Sequence, residues 1–238
     1  MGRTGVETGG QVRFSIDMRL LAESRAALAG RGHVFWVVGG AGSGKTTVCR
    51  TLSTTLGIPV YDMDAHIYGT YHARFTHDRH PVNTEWSTAP DGLAWLLDMS
   101  WDEFDAFNRA ALPEYLDLLA EDLAYTQPEA SLFIDGGICN PALVARVIPP
   151  GQIVCLAQLE WSSDEIWSET GDRASMKAAV QQLPRQEEAW RTFLEFDERI
   201  TQCILEECRA NDIAVCSRGD SESVDDVADR VARMLGSP

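Results

Sequence analysis

A glycine-rich loop with one lysine and one threonine has the clearest potential for chemistry in this chain. Gly39, four further residues and then Gly44, Lys45 and Thr46 fit the pattern G-x-x-x-x-G-K-[ST]. Glycines let backbone N–H groups turn inward around phosphate oxygens, and a helix that begins there presents its positive end to them. We therefore expect a loop that holds the phosphates of a nucleotide.

Each position of this loop has an expected role. Lys45 would reach the β- and γ-phosphates, and the Thr46 hydroxyl would be a ligand of Mg²⁺. The chain holds 18 arginines but only two lysines, Lys45 and Lys177, and a compact ammonium suits phosphate here. The residues expected to contact the nucleotide are Gly39, Gly42, Ser43, Gly44, Lys45, Thr46 and Thr47.

Two aspartates follow the next apolar segment. Asp62 and Asp64 are separated by one residue, and in a strand such side chains point to the same side. One carboxylate could hold Mg²⁺ while the other accepts the proton of an attacking hydroxyl. The alternative is that the acidic pair caps the next helix.

A third carboxylate ends the apolar run at 132–134. Asp135 is expected either to coordinate Mg²⁺ through water or to hold a polar group of the substrate, and the sequence leaves both open. Gly136 and Gly137 would allow a ligand to approach the backbone closely, although an ordinary β-turn explains them nearly as well.

The elements that must position these groups alternate along the chain. Strands are expected at 34–38, 58–61, 132–135, 152–159 and 213–216. Helices are expected at 17–28, 46–56, 113–125, 162–210 with interruptions near Gly171 and Pro184, and 224–235. This order predicts an α/β fold of three layers, with about five parallel strands and helices on both faces. Ligands bind beyond the carboxyl ends of such strands, where all the polar groups above fall.

Composition limits the possible partners. At 238 residues, one domain over 13–238 is expected, with 1–12 frayed. The formal net charge of -16 argues against nucleic acid and anionic membrane surfaces. Six cysteines without a paired motif predict a reducing, cytoplasmic location, and no apolar run is as long as a membrane span. Monomer and homodimer both remain possible.

Taken together, the loop, the two aspartates and the glycine pair resemble the small P-loop kinases of the shikimate kinase, gluconate kinase and nucleoside monophosphate kinase superfamily. The resemblance implies a P-loop NTPase fold that uses ATP, with GTP not excluded, and Mg²⁺. It implies Asp62 for the metal and Asp64 for the substrate hydroxyl. It also implies an arginine-bearing lid at 162–192, with Arg173 as the main candidate and Arg185 and Arg191 behind it. The loop after the last strand, 217–220 with Arg218, would pack on the nucleotide.

Residues 66–130 depart from that superfamily because they are longer and rich in aromatic residues. We expect them to form a substrate-binding insertion, although aromatic residues at helical spacing could equally be core. The substrate candidates are Asp64, Tyr68, Tyr71, His72, Arg74, Arg79, Gly136 and Gly137.

The expected activity is ATP- and Mg²⁺-dependent phosphoryl transfer to a hydroxyl of a small polyhydroxylated molecule, such as a sugar, a nucleoside or an antibiotic. One alternative is a nucleotide kinase, in which Arg74, Arg79 and Arg109 would converge on an acceptor phosphate. The other is a regulatory nucleotide-binding switch, although the chain has no N-K-x-D signature of a guanine-specific switch.

Overall fold

The structure is a computed structural model that describes residues 13–31, 33–168, 172–219 and 221–236. Its sheet has five strands: β1 (Val34–Val38), β2 (Val60–Asp62), β3 (Leu132–Asp135), β4 (Ile153–Ala157) and β5 (Ala214–Ser217). They lie in the order β2-β3-β1-β4-β5, and every pair of neighbours is parallel. The predicted parallel α/β sheet is therefore confirmed.

Helices surround this sheet. They are α1 (Met18–Leu28), α2 (Lys45–Leu56), α3 (Met63–Ala65), α4 (Pro81–Ser87), α5 (Gly92–Leu97), α6 (Trp101–Leu123), α7 (Pro141–Val144), α8 (Ser163–Ser168), α9 (Asp172–Val180), α10 (Gln186–Ala210) and α11 (Val224–Leu235). A π-helical turn, His66–Thr70, continues α3, and a short 3-10 turn, Pro150–Gln152, precedes β4. No helix in these described ranges is long and apolar enough to cross a membrane.

The central strand explains the layers. All five residues of β1 are buried, as expected for a parallel strand covered on both faces. Trp36 belongs to a hydrophobic core with α1, α6 and α10. Phe35 and Val37 belong to a second core with α2 and α11 on the other face. The sheet thus lies between two helical layers, in agreement with the three layers expected.

Helix α6 differs from its predicted extent of 113–125. It begins at Trp101, where Ser100 and Glu103 form a reciprocal capping box, and it carries Pro113 in its interior. Proline usually marks the first turn of a helix, which is why the sequence suggested a start there. The residues around Pro113 are buried, so tertiary packing stabilises the longer helix.

The remaining differences are small. Strand β2 starts at Val60 because Pro59 cannot donate a backbone hydrogen bond, and β4 ends at Ala157. The expectations for residues 1–12, Gly171 and Asp220 fall outside the described residues.

Candidate functional site

The loop after β1 has a backbone that requires glycine. Gly39, Gly42 and Gly44 have φ angles of +147°, +73° and +87°, a region that L side chains rarely adopt. A Cβ on Gly39 would also overlap the backbone carbonyl oxygen of Leu156 in β4. The loop is therefore pressed against the end of the neighbouring strand.

Two side chains of the loop turn back onto its own backbone. The Lys45 ammonium donates to the carbonyl oxygen of Gly40 at 3.0 Å, and the Ser43 hydroxyl donates to the same oxygen at 2.8 Å. Gly44 is the N-cap of α2 and supplies no side-chain oxygen to the first amides of that helix. The helix start and the ammonium thus offer positive charge at the same place, as an anion site requires.

This place is a switch point of the sheet. Strands β1 and β4 are neighbours, but the chain runs from β1 to β2 at one edge and from β4 to β5 at the other. Crevices at such points hold ligands in open parallel sheets. Thr46 and Thr47 are exposed toward solvent in the first turn of α2.

Asp135 is the buried carboxylate beneath the loop. It is 3% exposed, and its Oδ1 has no hydrogen-bond partner among the described residues. Burial raises the pKa of Asp135, while the Thr46 hydroxyl and the Lys45 ammonium oppose that rise. A buried acceptor oxygen without a donor fits a cation, and the Thr46 hydroxyl is a hydrogen-bond partner of the same carboxylate.

These residues fit Mg²⁺ only together with other ligands. Within the part of the chain that the structure describes, no group of three or more His, Cys, Asp or Glu side chains could hold a metal. Mg²⁺ usually takes one or two protein ligands and completes its octahedron with water and substrate phosphates. Thr46 and Asp135 could supply those protein ligands.

The two aspartates after β2 have different surroundings. Strand β2 ends at Asp62, whose Oδ1 accepts a hydrogen bond from the Ala65 amide at 2.9 Å and caps α3. The capping alternative is therefore confirmed for Asp62. The expected strand alternation is wrong for this pair, because Asp64 lies in the helical turn and is positioned by that turn.

Asp64 faces the cleft beside Lys45. Desolvation by the surrounding protein raises the pKa of Asp64, Lys45 lowers it, and Asp135 and Asp62 raise it further. A Cβ on Gly136 would lie 2.6 Å from its Oδ2, so the glycine leaves room for this carboxylate. Asp64 reaches solvent and yet has a strengthened affinity for a proton, as a general base needs.

The glycine pair at 136–137 packs against the helical turn that carries Asp64. Both residues have positive φ, +70° and +77°, and a Cβ on Gly137 would overlap Met63. The Trp36 indole N–H donates to the Gly136 carbonyl oxygen at 3.0 Å. The pair therefore holds the segment that carries Asp64, and protein atoms already occupy the space expected for a substrate.

Two of the predicted arginines lie beside the loop. The Arg173 guanidinium donates to the carbonyl oxygen of Ile166 at 2.8 Å, and a Cβ on Gly42 would lie 3.0 Å from the Ile166 side chain. A Cβ on Gly44 would lie 3.1 Å from Nη1 of Arg218. Both cations are thus close to the place expected for phosphates.

The other two lid candidates are placed differently. Arg185 pairs with Glu188 at 3.2 Å and with Asp98 at 3.7 Å, and its side chain is 69% exposed. Arg191 is exposed on α10. Neither has a contact with the loop in the described structure.

Asp197 on α10 was missed from the sequence. It accepts a hydrogen bond from the Ser163 hydroxyl at 2.6 Å. Desolvation raises its pKa, while Lys45 and Arg173, both within electrostatic reach, oppose the rise. The sequence did contain a signal for this residue. Asp197 stands between Phe196 and Ile200 in the apolar face of α10, at a position where an amphipathic helix normally has a hydrophobic side chain.

The substrate candidates after Asp64 fall into two groups. Tyr68 and His72 line a cavity. Three others do not reach it. Tyr71 is fully buried with its hydroxyl 2.7 Å from that of Tyr61, Arg74 pairs with Asp122 at 2.7 Å, and Arg79 pairs with Asp117 at 2.5 Å. Arg74 and Arg79 attach this segment to α6 and Tyr71 attaches it to β2, and contact of the three with a substrate stays a prediction.

The cavity lies between the aromatic insertion and α8–α10, with a volume of about 590 Å³. Its wall is mainly apolar. The aromatic residues are both core and pocket, since Trp86 and Phe104 are buried and also face it. The large apolar residues lining it include Trp86, Phe104, Trp167, Phe193, Phe196 and Ile200.

Comparison with known proteins adds little to this geometry. No family model matches the sequence, and no curated protein matches it at a significant level. The crystal structure of TT1252 from Thermus thermophilus is similar over 85% of this chain and 96% of that one, at 20% identity and a TM-score of 0.46. A likeness this weak carries no argument about function, which must come from the site.

Proposed function

We propose that this protein is a phosphotransferase that moves the γ-phosphoryl group of ATP to a hydroxyl of a small molecule. One observation carries the proposal. Asp64, a carboxylate with a raised pKa, shares its surroundings with Lys45 and Asp135 at the mouth of the glycine loop. A phosphate-binding loop alone would suit many nucleotide-binding proteins, and the added carboxylate supports a hydroxyl acceptor.

The chain's own groups have distinct tasks in this reaction. The loop amides and Lys45 would hold the β- and γ-phosphates in place. The acceptor oxygen forms a bond to the γ-phosphorus as the bond to the β–γ bridging oxygen breaks. ADP leaves, and the hydroxyl proton passes to the Asp64 carboxylate. Thr46 and Asp135 would hold Mg²⁺, which would supply positive charge to offset that of the phosphates.

Cations beside the loop would stabilise the transferring group. Arg173 lies next to Ile166 and Arg218 lies next to Gly44, so either guanidinium could supply this charge. Charge stabilisation of this kind is a major source of rate enhancement in phosphoryl transfer.

In the nucleotide-kinase alternative, the arginines expected to bind an acceptor phosphate are paired with carboxylates of the protein. That alternative needs arginines that converge on an acceptor phosphate, but Arg74 and Arg79 are held by carboxylates of α6. Arg109 pairs with Asp105 and Glu207, each at 2.7 Å. A hydroxyl acceptor therefore fits these surroundings better than a phosphate.

The two lysines of the chain allow a matched test. Lys45→Ala should abolish ADP release that depends on acceptor, across a panel of sugars, nucleosides and other alcohols. Lys177 lies 5.1 Å from the centre of the Trp190 ring, so Lys177→Ala removes the same charge at another position. Equal turnover in both variants would contradict the assigned phosphate site. Circular dichroism and a melting curve check that both variants fold.

A further inference from the structure

We infer that the phosphoryl acceptor is an alcohol with an apolar, ring-containing body that fills the cavity between the aromatic insertion and α8–α10. The inference rests on the proposed function and narrows it. It replaces the polyhydroxylated sugar expected from the sequence by a hydrophobic molecule that carries its reactive hydroxyl at one end.

One rim of the cavity is tied to the proposed general base. Tyr68 lines the cavity and follows Asp64 by four residues along the helical turns at Met63–Thr70. Burial and the nearby Asp64 carboxylate both raise the pKa of the Tyr68 hydroxyl. This rim of the cavity therefore lies near the Asp64 carboxylate.

A second rim is tied to the phosphate loop. Asp197 lines the cavity, and Thr201, one turn later on α10, donates to the Asp197 carbonyl oxygen at 3.0 Å. A Cβ on Gly40 would meet the Thr201 side chain, so this turn of α10 touches the loop. The second rim of the cavity therefore lies one turn of α10 from the residue that meets the glycine loop.

The size and chemistry of the wall select the occupant. A volume of about 590 Å³ lies within the roughly 300–1,000 Å³ of pockets that enclose drug-sized ligands. Each hydroxyl buried there without a hydrogen-bond partner would weaken binding, and a sugar carries several hydroxyls. Trp86 and Phe193 instead offer ring faces and edges to an apolar body.

Filling the cavity tests the inference. Ala179 and Ala178 are adjacent exposed residues of α9, but only Ala179 lines the cavity. Ala179→Trp should raise the KM for 2-naphthaleneethanol at least tenfold and leave the KM for ATP unchanged. Ala178→Trp carries the same helix-propensity cost and should change either KM less than twofold. Leu93→Trp fills the cavity from α5, which provides a second variant should Ala179→Trp fail to fold.

The acceptor panel separates this inference from the proposed function. It pairs 2-naphthaleneethanol and a hydroxysteroid with glucose and adenosine, and mass spectrometry detects the phosphorylated product. Phosphorylation of the aromatic alcohols, weakened by Ala179→Trp, is the expected result. Turnover of glucose or adenosine alone, unaffected by Ala179→Trp, overturns the inference and leaves the proposed function standing. Calorimetry that detects no binding of Mg·ATP to the wild-type protein overturns both.

Discussion

Replacing Asp64 by asparagine separates the chemistry of the site from its architecture. The amide has nearly the same shape and still fits the space above Gly136, but it cannot accept a full proton. Positioned general bases contribute about 10²–10⁴-fold to rate, which corresponds to about 3–5 kcal/mol of transition-state stabilisation. Asp64→Asn should therefore lower kcat by that factor and leave the Kd for Mg·ATP within about threefold.

The same substitution, Asp64→Asn, should leave the folded protein at least as stable as the wild type, although it lowers kcat. The pKa of Asp64 is raised in the folded protein, mainly by desolvation, so the fold favours its protonated form. Its contribution to stability is then full below the pKa of the unfolded chain and is lost as pH rises through the folded pKa. A neutral amide removes the cost of ionising this carboxyl in the folded protein, so Asp64→Asn should have a Tm at pH 7 equal to or above that of the wild type.

Asp62→Asn provides the control. Asparagine caps a helix as well as aspartate does, so α3 should persist. If the two residues have the roles proposed, only Asp64→Asn removes the acid limb of the pH profile of kcat/KM. In the wild type, that limb should lie above the pH expected for an ordinary aspartate. Full activity of Asp64→Asn, or an unchanged acid limb, would refute the assignment of Asp64 as the base.

Three further outcomes can be measured. Asp135→Asn should raise the Mg²⁺ concentration for half-maximal activity at least tenfold. It should not lower Tm, because burial already raises the pKa of that carboxyl. An unchanged Mg²⁺ requirement would exclude Asp135 from the metal site. Gly57→Ala, at φ +69° with open space around it, should cost about 1–2 kcal/mol in urea unfolding, and Gly39→Ala should cost clearly more because of its overlap with the β4 backbone. Desolvation raises the pKa of Asp117, but hydrogen bonds from His80 and Arg79 outweigh it and lower that pKa. The stability that this carboxylate contributes should be present above its pKa in the unfolded chain and lost as pH falls through its pKa in the folded protein. In urea unfolding from pH 6 to pH 2, Asp117→Asn should therefore lose less free energy of unfolding than the wild type.

The glycine loop and the sheet could be predicted because their signals are local. Five buried apolar residues in β1 lead directly into glycines whose positive φ angles the pattern itself requires. Asp135 could be found in the same way, at the end of an apolar run. For these features, neighbouring residues in the sequence are also neighbours in the site.

The acceptor side depends on contacts between distant segments. Trp86 and Phe193 face one cavity although more than a hundred residues separate them. Asp197 comes within electrostatic reach of Lys45 only because α10 packs against the loop, where a Cβ on Gly40 would meet Thr201. Arg74 and Arg79 looked suited to a ligand, but their partners lie on α6, 48 and 38 residues later in the chain. Side-chain type suggested the chemistry of this region, and only tertiary packing decides which groups are free to perform it.

Helix α10 has a thermodynamic consequence of its own. A single rigid helix presents Thr201 to the phosphate loop and Phe193, Phe196 and Asp197 to the cavity. Any displacement of α10 that one ligand favours is therefore felt at the site of the other. Binding linkage is reciprocal, so the factor by which acceptor changes the affinity for nucleotide equals the factor by which nucleotide changes the affinity for acceptor. The proposed nucleotide and acceptor sites should then behave as one cooperative unit, and their coupling free energy can be measured from either side.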